Sequence, residues 1–166
     1  MLSTLRAAFG HGEDFSYSYP GSRLVGAAFP VLGEPLSGAL LKYVGTGSDD
    51  DTDFVISVLR AYDGAATILE VRKAIIKAAP ERSRLWSEVA SAIEAIGVVV
   101  GEFGLSQAHE RKRQEIEPWL HDEDERVRAF AAWIGEDLMA LVEQERERAE
   151  QGTALRKYRF GVDKDK

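Results

Sequence analysis

Cysteine is absent from the chain. Disulfides, thiolate nucleophiles and cysteine metal sites go with it, and the absence fits a reducing compartment. Long apolar runs are missing as well: nothing approaches the ~18 consecutive apolar residues of a membrane span. The first residues, MLSTLRAAFGHGEDF, hold one arginine and no long apolar core, which makes a poor signal peptide. A cytoplasmic, bacterial-type protein is the expectation. Histidine is scarce, with only His11, His109 and His121. His109-Glu110 opens an HExxH pattern, but position 113 is arginine, so the second zinc ligand is missing. There is no GxSxG elbow, no Gly-Lys-Ser/Thr phosphate loop and no Ser/His/Asp set that stands out. No catalytic residue, cofactor or metal is therefore expected, and the chain reads as non-catalytic.

What is present suits one folded domain. Of 166 residues, 45% are apolar and 30% charged, enough for a sizeable core under a solvated surface. The 28 acidic residues outnumber the 21 basic ones, for a net charge of −7. That field weighs against nucleic acid and anionic membrane as partners.

Punctuation by glycine and proline divides the chain into helical segments. Residues 1–21 read as a short helix, Met1–Phe9, and a loop whose Phe15, Tyr17 and Tyr19 alternate over an apolar surface. Ser22–Leu32 is a helix ending before Gly33-Glu34-Pro35. Pro35 suits the first turn of Leu36–Val44, with Leu36, Leu40, Leu41 and Val44 as its apolar stripe. SDDDTD (48–53) lacks the central glycine and distal glutamate of a calcium loop, so helix capping by Asp50 with Asp53 is expected. Val55, Val58, Leu59 and Tyr62 then fall on one helical face. Further helices follow at 65–78, with Ile68, Val71, the Arg72 stem and Ile75 inside, and from Ser83, with Leu85, Val89, Ala92, Ile93 and Ile96 inside. VVVGEFG (98–104) is β-branched and glycine-bounded, but no partner strand is visible, so a turn is expected. Leu105–Leu120 is the next helix. In HDEDE (121–125), Asp122 can cap a new helix with Glu125 three residues on. That helix places Val127, Phe130, Ala131, Ile134, Leu138 and Leu141 on one face.

Three stretches share one plan of helix end, polar turn and second amphipathic helix: 40–64, 74–97 and 116–139. Aligning Leu59, Ile93 and Trp133 gives spacings of 34 and 40 residues, in the range of helical-pair repeats. WLHDEDERVRAFAAWIGEDL resembles a HEAT-type repeat, with Asp122, Val127, Arg128 and Ala131 on that family's pattern of polar turn and Val-Arg-x-x-Ala. The resemblance is clearest over residues 117–138; the other two units lack the valine-arginine pair. It implies an all-α fold of antiparallel helix pairs stacked as a short α-solenoid over 22–142, with an irregular helical bundle as the alternative.

Charge is denser after Gly104: 27 of the charged residues lie in 105–166 and 22 in 1–104. Residues 143–166 read as a charged helix and tail, with pairs Glu143–Arg146 and Glu145–Arg148 and with Leu155, Tyr158, Phe160 and Val162 set among basic residues. The abrupt start and charged end also suit the C-terminal piece of a larger protein, with Met1 as a counter-indication. Arg111-Lys112-Arg113 is the sharpest basic cluster, diluted by Glu110, Glu115 and Glu117, and a solvated helix face accounts for it. Arg111, Arg113, Trp119, Tyr158 and Phe160 are the candidate partner contacts, although core packing is the first reading for Trp119. The expected function is a protein-interaction or scaffold module with an unidentified protein partner, a homodimer included. The alternatives are an accessory or regulatory domain of a larger enzyme and a nucleic-acid-binding helical-repeat protein.

Overall fold

Helices are the only regular elements among the described residues of the computed structural model, which are 2–9, 24–59, 62 and 67–161. The aromatic segment around Phe15, Tyr17 and Tyr19, His11, the Asp63-Gly64 stop and Val162 lie outside them. The all-α expectation holds, and 98–103 is irregular chain and turn rather than a strand. By contacts the chain forms two compact units, Met1–Ala92 and Ile93–Lys166.

In the first unit the helices are α1 (Leu2–Phe9), α2 (24–28), α3 (Glu34–Val44), α4 (Asp49–Leu59), α5 (Thr67–Ala78) and α6 (Arg84–Glu94), the last running across the unit boundary. Helix α3 packs on α4 and α5, and α1 packs on α4. Pro35 sits in the first turn of α3, where its missing N–H costs nothing. Leu36, Leu40 and Val44 are buried, but Leu41 is exposed. At about 100° per residue Leu41 lies roughly 140° round the helix from Leu36, off the core stripe. The chain leaves α3 through Gly47, whose φ of 71° is a left-handed conformation that favours glycine.

The cap of α4 differs from the expectation. The helix starts at Asp49, so Asp50 and Asp53 are already inside it. Ser48 stands at the cap: its Oγ accepts the Asp51 N–H (3.4 Å) and its carbonyl accepts the Thr52 N–H (3.0 Å). The aspartates serve other helices. Asp51 accepts from Arg6 of α1 (2.5 Å) and from the Thr46 hydroxyl (2.8 Å). The Thr46 hydrogen bond and then the Arg6 guanidinium hold the Asp51 carboxyl below the usual range. Asp53 pairs with Arg84 of α6 (2.7 Å). Val55, Val58 and Leu59 are buried, as their spacing predicts; Tyr62 is buried too, but it lies three residues past the end of α4 and so is not part of that helical face. The Tyr62 hydroxyl donates to the Phe29 carbonyl (2.7 Å), which ties the residue just after α2 to the chain three residues past α4. Burial pushes that hydroxyl's pKa up. In α5, Ile68, Val71, Arg72 and Ile75 are buried as expected; in α6, Leu85, Val89 and Ile93 are. Helix α6 ends at Glu94, so Ile96 falls beyond it.

In the second unit, irregular chain (95–103) leads into α7 (Gly104–Ile116), a 3-10 turn (Glu117–His121) and α8 (Glu125–Gly161). A Cβ at residue 104 would lie 3.2 Å from the Val99 Cβ, so the close approach of that loop to α7 favours glycine. Helix α7 is shorter than the expected Leu105–Leu120. Pro118 has no N–H to continue the α-helical ladder, and the chain tightens to 3-10 there.

The acidic turn closes differently from the expected Asp122–Glu125 box. Asp122 is extended, and its Oδ1 accepts the Asp124 N–H (3.0 Å). Asp124 is the cap: its Oδ1 accepts from the N–H groups of Arg126 (2.9 Å) and Val127 (3.4 Å). Glu125 is thus the first helical residue and not a capping partner. Arg128 reaches back and donates to the carbonyls of Asp122 (2.8 Å) and Glu123 (2.9 Å). Replacing Asp124 by Ala is therefore expected to cost about 1 kcal/mol of stability. Asp122→Ala leaves the helix cap in place, so it should cost less; urea melts of the two variants check the order.

Helix α8 is 37 residues long, roughly 55 Å at 1.5 Å per residue. It runs unbroken through residues 142 and 143, so the charged segment from Glu143 continues the same helix. Val127, Phe130, Ala131, Ile134 and Leu138 are buried, and Leu141 is half-buried.

Candidate functional site

Helices α7 and α8 pack along their lengths and run antiparallel. At one end Trp119, in the 3-10 turn, stacks on Phe130 of α8 with ring centroids 6.3 Å apart. At the other, Glu102, just before α7, accepts from Thr153 (3.0 Å) and pairs with Arg156. The covered stripe of α8 continues beyond the aromatic end through Leu138, Leu141, Val142, Glu145, Ala149, Gly152 and Thr153, at three- and four-residue steps. The opposite face is exposed from Glu136 to Arg159.

His109 is buried in this seam, with its Nδ1 lacking a hydrogen-bond partner. Burial lowers its pKa, and the Glu145 carboxylate opposes that shift without cancelling it. An unfolded histidine takes its proton near pH 6.5, whereas the buried ring takes it only at lower pH. Between those two points the unfolded state binds more protons, so stability falls as pH drops through 6.5. Urea midpoints at pH 7.5 and about 5.5 should differ more for the natural chain than for His109→Leu. An equal difference in both chains would place the pH dependence elsewhere.

The candidate contacts separate clearly. Arg111 is exposed, whereas Arg113 is half-buried and gives two hydrogen bonds to Glu110 (2.9 and 2.8 Å) on its own helix. Glu110 also accepts from Gln114 (2.9 Å), and the Arg113 bonds hold its carboxyl below the usual range. The basic cluster is thus partly neutralised where it stands. Trp119 is in the core, with its neighbour Leu120 turned outward. Tyr158 is 78% exposed on α8; Phe160 lies in the same helix, but its side chain is outside the described residues. Met139, at 54%, and Leu155, at 59%, are exposed on α8 too. Sequence reasoning misses Met139, although it sits one residue off the buried Ile134–Leu138 stripe, which is the available signal.

Charge is uneven along α8. Residues 136–150 hold six carboxylates and two arginines, and residues 151–161 hold three bases and no acid. Arg146 pairs with Glu150 (3.2 Å), not with Glu143 as the spacing suggested, and Arg148 pairs with Glu145 (3.6 Å). Glu136, Asp137, Glu143 and Glu147 make no ion pair among the described residues, nor do Lys157 and Arg159.

Among the described residues no three His, Asp or Glu side chains are grouped to hold a metal ion, and no helix is long and apolar enough to cross a membrane. The chain matches no protein-family model, no curated protein and no solved structure.

Proposed function

We propose that the chain is a non-catalytic protein-interaction module, with helix pairs stacked in the manner of a short HEAT-like solenoid and with α8 as its contact helix. The observation that carries this reading is the exposed face of α8, where Met139, Leu155 and Tyr158 stand in solvent on a helix whose other face is covered by α7. Exposed aromatic and aliphatic side chains on a rigid helix are the usual anchors of helix-mediated recognition. The HEAT likeness of 117–138 supports the stacking, since one helix pair alone leaves an apolar face uncovered. Capture from cell lysate with the intact chain, beside a Leu155→Asp/Tyr158→Asp variant of equal helicity, tests the reading. A saturable protein partner held by the intact chain and lost by the variant is expected. Equal capture by both, or none by either together with no self-association, overturns it.

A further inference from the structure

We infer that residues 97–101, Gly-Val-Val-Val-Gly, pair with the same residues of a second copy as a short antiparallel β-ribbon about a two-fold axis. This surface is separate from the contact assigned to α8. The observation behind it is a strand-forming sequence with no neighbour in its own chain. Val98 is fully exposed and Val100 is 93% exposed, while Val99 between them turns in against Gly104. That alternation is the two-residue period of an extended strand. Among the described residues no hydrogen bond reaches the backbone of residues 96–100. Three successive β-branched residues favour a strand, and unpaired N–H and C=O groups along one offer a template to another chain. The stretch 95–101 also carries no charge and no proline, the composition by which exposed segments pair between chains.

The symmetry of the sequence names a second copy as the occupant. Gly97-Val98-Val99-Val100-Gly101 reads the same in both directions. An antiparallel pairing with its axis at Val99 sets Val98 of one copy opposite Val100 of the other, and Gly97 opposite Gly101. Every such contact is made twice, as in any isologous interface. Moving the axis by one residue sets Val98 opposite Glu102, or Val100 opposite Ile96, and the match is lost. A parallel pairing in register would bring the Glu102 carboxylates side by side, whereas the antiparallel one sets Glu102 opposite Ile96. With the axis at Val99, Val98 and Val100 exchange main-chain bonds across it at both ends, and the Val99 N–H faces the other edge. The exposed valines become cross-strand neighbours on one face. Gly101, with a φ of 102°, then turns the chain away towards α7 and ends the ribbon. Two-stranded pairing this short is marginal in water, so the dimer forms only at high concentration. It rests on main-chain bonds and apolar contact, so the screening that dissolves an exposed ionic contact leaves it in place.

Two full-length variants test the pairing: Val98→Lys/Val100→Lys and Val98→Glu/Val100→Glu. Both side chains stand in solvent, so the fold tolerates either change, and circular dichroism checks that it does. Sedimentation equilibrium of the natural chain, taken up to about 0.5 mM as so small a contact requires, should rise from 18.3 kDa towards twice that mass. The rise should be alike at about 0.1 M and about 1 M salt. Each variant alone should dissociate at least about tenfold more readily, because like charges then stand directly opposite. An equimolar mixture should associate more tightly than either variant alone, since lysine then faces glutamate at both positions. Amide hydrogen exchange of the natural chain, read by NMR, reports the register: on concentration the Val98 and Val100 amides should slow and the Val99 amide should not. A natural chain that stays monomeric throughout overturns the inference. So do variants that associate undiminished, a mixture no tighter than its parts, or protection of Val99 in place of Val98 and Val100.

Discussion

Replacing Phe130 by Ala will destabilise the second unit by about 3–5 kcal/mol. The ring is fully buried and sits between two tryptophans. Its centroid is 6.3 Å from Trp119, tilted by 43°, and 5.8 Å from Trp133, nearly perpendicular at 82°. Both separations lie within the 4.5–7 Å range of favourable aromatic pairs, each worth about 0.5–1.5 kcal/mol beyond burial. The alanine variant loses the buried area and both ring contacts, and it leaves a cavity whose rigid walls close poorly. Phe130→Leu keeps most of the volume and should cost markedly less. Urea unfolding followed by tryptophan fluorescence reads the effect directly, because Trp119 and Trp133 are the reporters next to the cavity. A loss under about 1.5 kcal/mol for the alanine variant would mean that the 3-10 turn collapses inward and refills the space.

The same aromatic cluster shows how far the sequence carries. Spacing alone assigns Val127, Phe130, Ala131, Ile134 and Leu138 to one face, and all five are buried. Helical periodicity works there because the apolar residues recur without interruption and the partner helix covers a single stripe. The α4 stripe of Val55, Val58 and Leu59 is legible for the same reason, whereas Tyr62 is buried from beyond the helix end. Helix ends are less so. Asp122 and Asp124 both have the chemistry of a cap, and only the extended backbone at Asp122 decides that Asp124 takes the role. Ser48 and the aspartates after it pose the same choice, resolved in favour of serine. Leu41 illustrates a third case: an apolar residue next to the stripe is not necessarily on it.

Contacts remote in sequence leave no trace in local pattern. Arg6 with Asp51, Arg84 with Asp53 and Arg156 with Glu102 join residues 45, 31 and 54 positions apart. In SDDDTD the local pattern points to capping because nothing nearby in sequence competes for the carboxylates. The candidate contacts divide on similar grounds. Trp119 follows Pro118 at a turn, where sequence alone allows either face, and burial against Phe130 decides it. Tyr158 is legible because it stands among Arg156, Lys157 and Arg159, which a buried face would not hold.

Trp86→Ala should be the matching lesion in the first unit, again about 3–5 kcal/mol. Trp86 is 1% exposed, and its indole N–H donates to the Ile76 carbonyl at 3.3 Å. That carbonyl has a particular need. In a continuing helix it would accept the N–H of residue 80, but residue 80 is proline and has none. The end of α5 therefore leaves a buried acceptor that α6 satisfies through Trp86, which ties the two helices at the point where the chain turns between them. Trp86→Phe separates the two contributions. It keeps most of the apolar burial but strands the Ile76 carbonyl, for an expected loss of about 1–3 kcal/mol. The order Trp86→Ala, then Trp86→Phe, then the natural chain in urea midpoint, lowest to highest, is the predicted result. If the phenylalanine variant equals the natural chain, the hydrogen bond contributes nothing and burial alone joins α5 to α6.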